Sequence, residues 1–353
     1  MSSRIEKFVT ALEQTNCDAV LVTNLKNIYY LTGFSGTEAT VFISKTRRIF
    51  LTDSRYTLIA KSVVKGFDIV ETRDALNEIA RIIVGDKLSS IGFDEEISYR
   101  YFKVLESVFP KHQLVALAGF VEKLRMIKDA EEVARIRKAC QISDQAFLDV
   151  LEFIRPNQTT ELDVMNFLDT RMRQLGASGA SFDFIVASGY RSAMPHGVAS
   201  DKVIHNGESL TMDFGCYYHH YVSDITRTIH IGHVTDEERE IYDIVLRSNQ
   251  ALIEKAQSGM TRREYDQIPR EIICQAGYGE YFTHGIGHGI GLDIHEVPYF
   301  GKSDELLEAG MTVTDEPGIY LDGKYGVRIE DDLLITETGC ELLTLAPKEL
   351  IVI

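Results

Sequence analysis

The sequence predicts a two-domain α/β chain, α+β in its larger part: a small α/β domain over residues 1–122, then a larger domain over 123–353 built as a twofold internal repeat. Three observations predict it. Helical and strand patterns alternate through the first stretch, as in a small layered α/β domain. The pattern changes between Gly119 and Asp129, where a long helix begins. Beyond that point one design, a helix pair followed by strands, occurs twice. A length of 353 residues suits two domains.

In the first domain Ser3 and Glu6 have the spacing of a capping box. Ile5, Phe8, Val9 and Leu12 follow at helical spacing. Asp18–Thr23, Thr40–Ser44 and Arg48–Thr52 read as strands, and Asp74–Val84 and Tyr99–Phe109 as helices. Asp53, Arg55 and Tyr56 read as structural or interface residues. In the second domain a helix runs from about Asp129 to Ile154 and stops before Pro156. Thr160 caps another to about Leu175, with Gly176 placed to end it. Thr235 and Glu238 open a third, to about Gln257; Thr261 and Glu264 open a fourth, to about Gln275, before Gly277. Ser143-Asp-Gln-Ala-Phe147 echoes Ser248-Asn-Gln-Ala-Leu252, and Ser181–Gly189 and the Gly-rich 284–291 occupy equivalent places. Two such halves enclose a cleft between them.

Bulk composition excludes several classes. Apolar residues make up 44%, enough for a large core and against disorder. A net charge of −16 argues against nucleic acid and anionic membrane as partners. No apolar stretch approaches the ~20 residues that span a bilayer. The opening Met-Ser-Ser-Arg-Ile-Glu-Lys-Phe lacks an apolar core, so no secretory signal is expected. Five scattered cysteines without Cys-x-x-Cys spacing read as reduced thiols in a cytoplasmic chain.

Chemistry concentrates in the second domain. Asp213 lies in Thr-Met-Asp-Phe-Gly, Asp224 in Ser-Asp-Ile-Thr-Arg-Thr, His288 in His-Gly-Ile-Gly-His-Gly-Ile-Gly, Glu316 in Asp-Glu-Pro-Gly-Ile-Tyr and Glu330 in Gly-Val-Arg-Ile-Glu-Asp-Asp. Four carboxylates and one imidazole can hold two divalent cations and a bridging hydroxide, which points to a hydrolase. Acids at such apolar positions need a compensating charge. A turn midway between Asp213 and Asp224, at Tyr218–His219, would set the two directly opposite on one face of a hairpin. A turn at Gly323, in Leu-Asp-Gly-Lys, would do the same for Glu316 and Glu330. His288 would come from a strand between the two hairpins in sequence.

His205, His219, His220, His230 and His233 read as turn or strand-end residues. The His284-x3-His288 spacing resembles a zinc helix, but Gly285, Gly287, Gly289 and Gly291 argue against helix, at about 1 kcal/mol each. These glycines are expected to let backbone approach a ligand closely. His196 and His295 are candidates for gripping substrate or moving protons.

At these residues the chain resembles the proline-specific metallopeptidases, the aminopeptidase P and prolidase family with the pita-bread fold. The motifs are Met-Asp-Phe-Gly at 212–215, Ser-Asp-Ile-Thr-Arg-Thr at 223–228, His-Gly-Ile-Gly-His at 284–288, His-Glu at 295–296, Glu-Pro-Gly-Ile-Tyr at 316–320 and Gly-Val-Arg-Ile-Glu-Asp at 326–331. Asn-Ile-Tyr-Tyr-Leu-Thr-Gly-Phe at 27–34 and Leu-Thr-Asp-Ser-Arg-Tyr at 51–56 resemble the family's creatinase-like N-terminal domain, and 124–132 its junction with the catalytic domain. The resemblance implies that Asp213 binds one metal, that His288 and Glu316 bind the other, and that Asp224 and Glu330 bridge both. It implies substrate-binding and proton-handling roles for His196, His284, His295 and Arg328, and a homodimer. No ligand is missing, unlike in a dead, creatinase-like relative.

The expected reaction is hydrolysis of the bond before proline in short peptides with proline second, by a hydroxide held between two metals, with Glu316 as general base and acid. Hard oxygen donors point to manganese, with cobalt or zinc as alternatives. Family members divide between Xaa-Pro aminopeptidases and Xaa-Pro dipeptidases. Tyr299, in His-Glu-Val-Pro-Tyr, stands where a dipeptidase often carries a basic group, which favours the aminopeptidase. The dipeptidase is the alternative, and a peptide-binding module without catalysis the remote one.

Overall fold

The computed structural model describes residues 2–353, with side chains described from Arg4 onward. The chain divides into two compact units, the first ending at Arg125 and the second spanning Met126–Ile353.

The first unit alternates as α1 (Ser2–Glu13), β1 (Ala19–Val22), α2 (Leu25–Thr32), β2 (Thr40–Ser44), β3 (Arg48–Thr52), α3 (Thr57–Val63), β4 (Asp68–Glu71), α4 (Ala75–Ile82), β5 (Ser90–Asp94), α5 (Tyr99–Val108), β6 (Gln113–Leu117) and α6 (Phe120–Arg125). The Ser3 side chain, and with it the expected capping box, lies outside the described residues. Its six strands order as β4-β3-β2-β1-β5-β6. The central strands β1 and β2 are buried along their whole length, as their apolar stretches Ala-Val-Leu-Val and Val-Phe-Ile require. Asn24 caps α2 by accepting from the amides of Lys26 and Asn27, and Gly33, at φ 76°, ends it. Asp53 holds Arg55 in a two-pronged ion pair, so both serve local structure.

The second unit consists of two like halves, each a helix pair backing a sheet. The first half contains α7 (Ala130–Phe153), α8 (Glu161–Gln174), β7 (Gly179–Ala180), β8 (Ile185–Ser188), β9 (Ser209–Phe214), β10 (Cys216–Tyr218), β11 (Tyr221–Val222) and β12 (Ile225–His230). The second contains α9 (Asp236–Lys255), α10 (Arg262–Gln275), β13 (His288–Gly289), β14 (Glu296–Tyr299), β15 (Thr312–Asp315), β16 (Gly318–Leu321), β17 (Tyr325–Arg328), β18 (Asp331–Thr336) and β19 (Gly339–Leu342). All four helices open on a capping box in which both reciprocal bonds form: Asp129/Glu132, Thr160/Asp163, Thr235/Glu238 and Thr261/Glu264.

Each half has its own core. Phe147, Leu168, Val186, Met212 and Ile229 bury one helix pair against the sheet β12-β9-β8. Val245, Leu252, Ile273, Val313 and Ile335 bury the other against β14-β13-β15-β18-β19. Side chains of this kind contribute about 1.5–3 kcal/mol each when fully buried. The segment Leu345–Ile353 ties the halves together. Its Leu345 and Ala346 amides donate to Asp144 of α7, Tyr242 of α9 donates to the Lys348 carbonyl, and Val352 runs beside His230 of β12.

His230 is fully buried, and neither ring nitrogen has a hydrogen-bond partner among the described residues. Burial depresses its pKa, and Glu238, at 3.9 Å, only partly offsets this. The unfolded chain, with an ordinary histidine near ~6.5, then takes up a proton that the folded chain does not. This contribution to stability is therefore complete above that pH and declines as pH falls below it. His230→Phe is expected to lessen the drop in melting temperature between pH 7.5 and 5.5, by the equivalent of about 1 kcal/mol. An unchanged drop would show that other groups set the acid sensitivity.

Candidate metal centre

The two acid pairs arise from strand–hairpin–strand units at equivalent places in the two halves. In the first half Asp213 lies near the end of β9, the β10/β11 hairpin follows, and Asp224 precedes β12. In the second, Glu316 follows β15, the β16/β17 hairpin comes next, and Glu330 precedes β18.

Their registers differ. Gly318 pairs with Arg328 and Asp315 with Asp331, so Glu316 lies across from Glu330 and the turn centres on Gly323, at φ 70°. That is the expected arrangement. The expected register of Asp213 and Asp224 is corrected: Asp213 faces Thr226, and Tyr218 faces Tyr221. The turn consists of His219 and His220, both at positive φ (46° and 73°), the geometry of a tight two-residue hairpin turn. It lies one position later than expected, so Asp224 sits diagonal to Asp213. A shift of two residues in register preserves the face.

Thr226 joins the units. Glu330 N–H donates to the Thr226 carbonyl at 3.1 Å, and Thr226 Oγ1 donates to Glu330 Oε2 at 2.6 Å. Arg328 Nε in turn donates to Thr226 Oγ1 at 3.1 Å. Asp224 is anchored from behind, its N–H donating to Asp332 Oδ2 at 2.9 Å.

His288 lies in β13, its N–H donating to Thr314 Oγ1 at 3.0 Å. Two of the surrounding glycines, Gly285 and Gly287, line the cavity, and close packing also requires glycine at 287 and 289. A Cβ on Gly287 would strike the carbonyl of Thr314, and one on Gly289 the carbonyl of Val297. They let the His288 strand approach its own neighbours. Gly285 borders the cavity with open space beside it.

All nine residues singled out in the sequence line one cavity of about 520 Å³: His196, Asp213, Asp224, His284, His288, His295, Glu316, Arg328 and Glu330. Asp224, His288 and Glu330 offer donor atoms that all lie within 4.8 Å of one another. His288 Nε2 is 3.5 Å from Glu316 Oε1 and 3.7 Å from Asp224 Oδ2. Asp213 commits Oδ2 to Arg328 Nη2 at 2.6 Å. Its Oδ1, like Asp224 Oδ1, is buried without a partner among the described residues. His295 rests its ring edge-on against His288, centroids 4.2 Å apart. His196 and His295 are exposed on the cavity wall.

Burial raises the pKa of all four carboxyls above the ordinary range, strongly for Asp224 and Glu330 and to about 7 for Glu316. Neighbouring acids raise Asp224, Glu316 and Glu330 further, while Arg328 lowers Asp213, Glu316 and Glu330. Four ionised carboxylates here need a cation among them. Unpartnered oxygens and an imidazole held neutral by burial, its pKa near 4, are what divalent cations require of a site.

A directional relay crosses the centre. The Gly285 carbonyl only accepts, so His284 Nδ1, 2.8 Å away, carries the proton. His284 Nε2 then accepts from Tyr320 O–H at 2.9 Å, and that oxygen accepts from Arg328 Nη1 at 2.8 Å. Sequence reasoning missed Tyr320, Thr226, Thr314 and Asp332. Tyr320 closes the Glu-Pro-Gly-Ile-Tyr motif, and two-residue periodicity puts Thr226 on the face of Asp224, so both were within reach.

A paired-half α/β fold with buried acids and a histidine converging on one cleft defines a metallopeptidase scaffold. Residues 134–337 match metallopeptidase family M24, residues 4–127 match the creatinase/prolidase N-terminal domain, and the chain belongs to this pita-bread peptidase family. It is 44% identical to the structure of an Xaa-Pro dipeptidase from Bacillus anthracis, covering 100% of this chain and 99% of that one, with a TM-score of 0.97. It is 38% identical to the Xaa-Pro dipeptidase of Pyrococcus furiosus, over 99% of this chain and 100% of the relative. An X-Pro aminopeptidase structure from Thermotoga maritima is also 38% identical, covering 98% and 100%, with a TM-score of 0.90.

Proposed function

We propose that this chain is an Xaa-Pro dipeptidase that works with two divalent metal ions. The observation that carries the reading is the convergence of Asp213, Asp224, His288, Glu316 and Glu330 on one cavity. Asp213, Asp224, His288, Glu316 and Glu330 would hold the two ions between them. Manganese suits a donor set of four carboxylates and one imidazole. When bound, such ions lower the pKa of water towards neutrality and polarise the scissile carbonyl.

The residues of the chain do the rest. Glu316 takes the proton from the attacking water and passes it to the departing proline nitrogen. His196 and His295, exposed on the wall, hold the substrate and steady the developing oxyanion. Arg328 fixes Asp213 and, through Tyr320, the tautomer of His284. Proline gives the scissile bond a tertiary amide without N–H, so a site that does not depend on that N–H suits it.

The dipeptidase reading replaces the aminopeptidase expected from Tyr299. Relatives named Xaa-Pro dipeptidase, matched end to end at 38% and 44% identity, support it. The Thermotoga aminopeptidase keeps the second reading in view. Turnover of Leu-Pro against Arg-Pro-Pro separates them: Leu-Pro is expected to be hydrolysed at least about 10-fold more efficiently, and the reverse order would restore the aminopeptidase. Chelation should abolish both activities and Mn²⁺ should restore them. A homodimer is part of the proposal, as is action in the cytoplasm. No described helix is long and apolar enough to cross a membrane.

A further inference from the structure

Behind the cavity lies a second, inverted copy of its acid arrangement. Asp315 and Asp331 are directly opposed in the β15–β18 ladder and both are fully buried. They precede and follow Glu316 and Glu330 by one residue, so strand alternation turns them to the opposite face. Like charges directly opposite one another push a strand pair apart. Here two cations already face Asp331: Arg227 Nη2 takes Oδ1 at 2.7 Å, and Lys348 takes Oδ2, the oxygen turned towards Asp315 through Asn249. Lys348 Nζ lies 2.6 Å from Asp331 Oδ2 and 2.8 Å from Asn249 Oδ1. Asn249 Nδ2 donates to Asp315 Oδ2 and Asp331 Oδ2, each at 3.1 Å. Asp315 Oδ1 is buried with no partner among the described residues.

We infer that Lys348 is a positioning residue: its ammonium is a tethered monovalent cation that closes the Asp315–Asp331 pair from the rear and so fixes the separation of Glu316 and Glu330 in front. The consequence for metal binding rests on Glu316 and Glu330 being ligands, while the rear site itself does not. The Asp331 carboxylate and the Asn249 amide oxygen that hold the lysine head, with Asp315 tied to them through Asn249 Nδ2, would accept a free cation of the same size once the side chain is cut back.

Lys348→Ala provides the test. Without divalent metal, in tetramethylammonium chloride, this variant is expected to melt on the order of 10 °C below wild type. Ammonium or methylammonium chloride at the same ionic strength should recover at least half of that loss, and wild type should not distinguish the salts. Mn²⁺ affinity by calorimetry should fall about 10-fold in tetramethylammonium and recover with ammonium. Removing a nearby positive charge alone would strengthen Mn²⁺ binding, so weakening reports on ligand spacing. Identical melting in the two salts, or unchanged Mn²⁺ affinity, would overturn the inference. If Lys348→Ala does not fold, Lys348→Arg decides. Its bulkier head should keep the fold, lower Mn²⁺ affinity severalfold and give no response to ammonium; wild-type affinity in it would count against the idea. A wild-type protein that binds no Mn²⁺ would defeat the metal reading, and the metal-free melting comparison would still judge Lys348.

Discussion

Asp224→Asn is expected to reduce Leu-Pro turnover by well over about 100-fold, the upper end of what loss of an outer-sphere partner costs. Asp224 is 4% exposed and sits beside Glu330, Asp213 and Glu316, which together with burial raise its pKa. The amide keeps the shape and the backbone contact to Asp332, so the fold should survive. Under the two-metal proposal the variant loses the charge that two cations would share, and bound metal should drop below two per chain. A second signature has the opposite sign. In chelator, wild type must bury an uncompensated carboxyl that the variant lacks, so metal-free Asp224→Asn should melt higher than metal-free wild type. Near-wild-type turnover in the variant would refute the shared-ligand role.

Arg227→Met is expected to cost about 3–5 kcal/mol of stability, the usual penalty for breaking a buried ion pair from one side. Arg227 is 1% exposed, and all its N–H groups are used. Nη1 donates to the carbonyls of Thr226 and Glu330, at 2.9 and 2.6 Å. Nη2 donates to Asp331 Oδ1 at 2.7 Å and the Ala346 carbonyl at 2.8 Å, and Nε reaches Ala346 and Pro347. One side chain thus staples the Thr226–Glu330 bridge to the Leu345–Ile353 segment. Denaturant melts should show the loss in the metal-free protein. Arg227→Lys should recover only part of it, because an ammonium cannot fork between carbonyls and a carboxylate. Full recovery with lysine would mean that charge alone matters.

What was legible in the sequence follows from how local each signal is. The four helices of the second unit were readable to within two residues, because Asp129, Thr160, Thr235 and Thr261 cap them through bonds closed within one turn. The Glu316–Glu330 register was readable because Gly323 marks its turn. The Asp213–Asp224 register was not, since only the left-handed backbone of His219 and His220 centres that hairpin, and neither residue announces a turn as Asp-Gly does. In the first unit β4, with its four residues Asp-Ile-Val-Glu, and β5, interrupted by Gly92, carry too little alternation to stand out. The α2 segment Leu-Lys-Asn-Ile-Tyr-Tyr-Leu-Thr mixes β-favouring residues into a helix that its Asn24 cap and burial secure. The rear layer of Asp315, Asp331, Arg227 and Lys348 could not be read because it is assembled from four separate stretches. Only the alternation in Ile-Glu-Asp-Asp hinted that neighbouring acids face opposite ways.

Anomalous diffraction from crystals grown with Mn²⁺ tests the central claim most directly. Two peaks are expected about 3.5–4 Å apart, coordinated by Asp213, Asp224, His288, Glu316 and Glu330, with Asp224 and Glu330 touching both. A cavity that stays free of Mn²⁺, or ions bound only by other side chains, would contradict it.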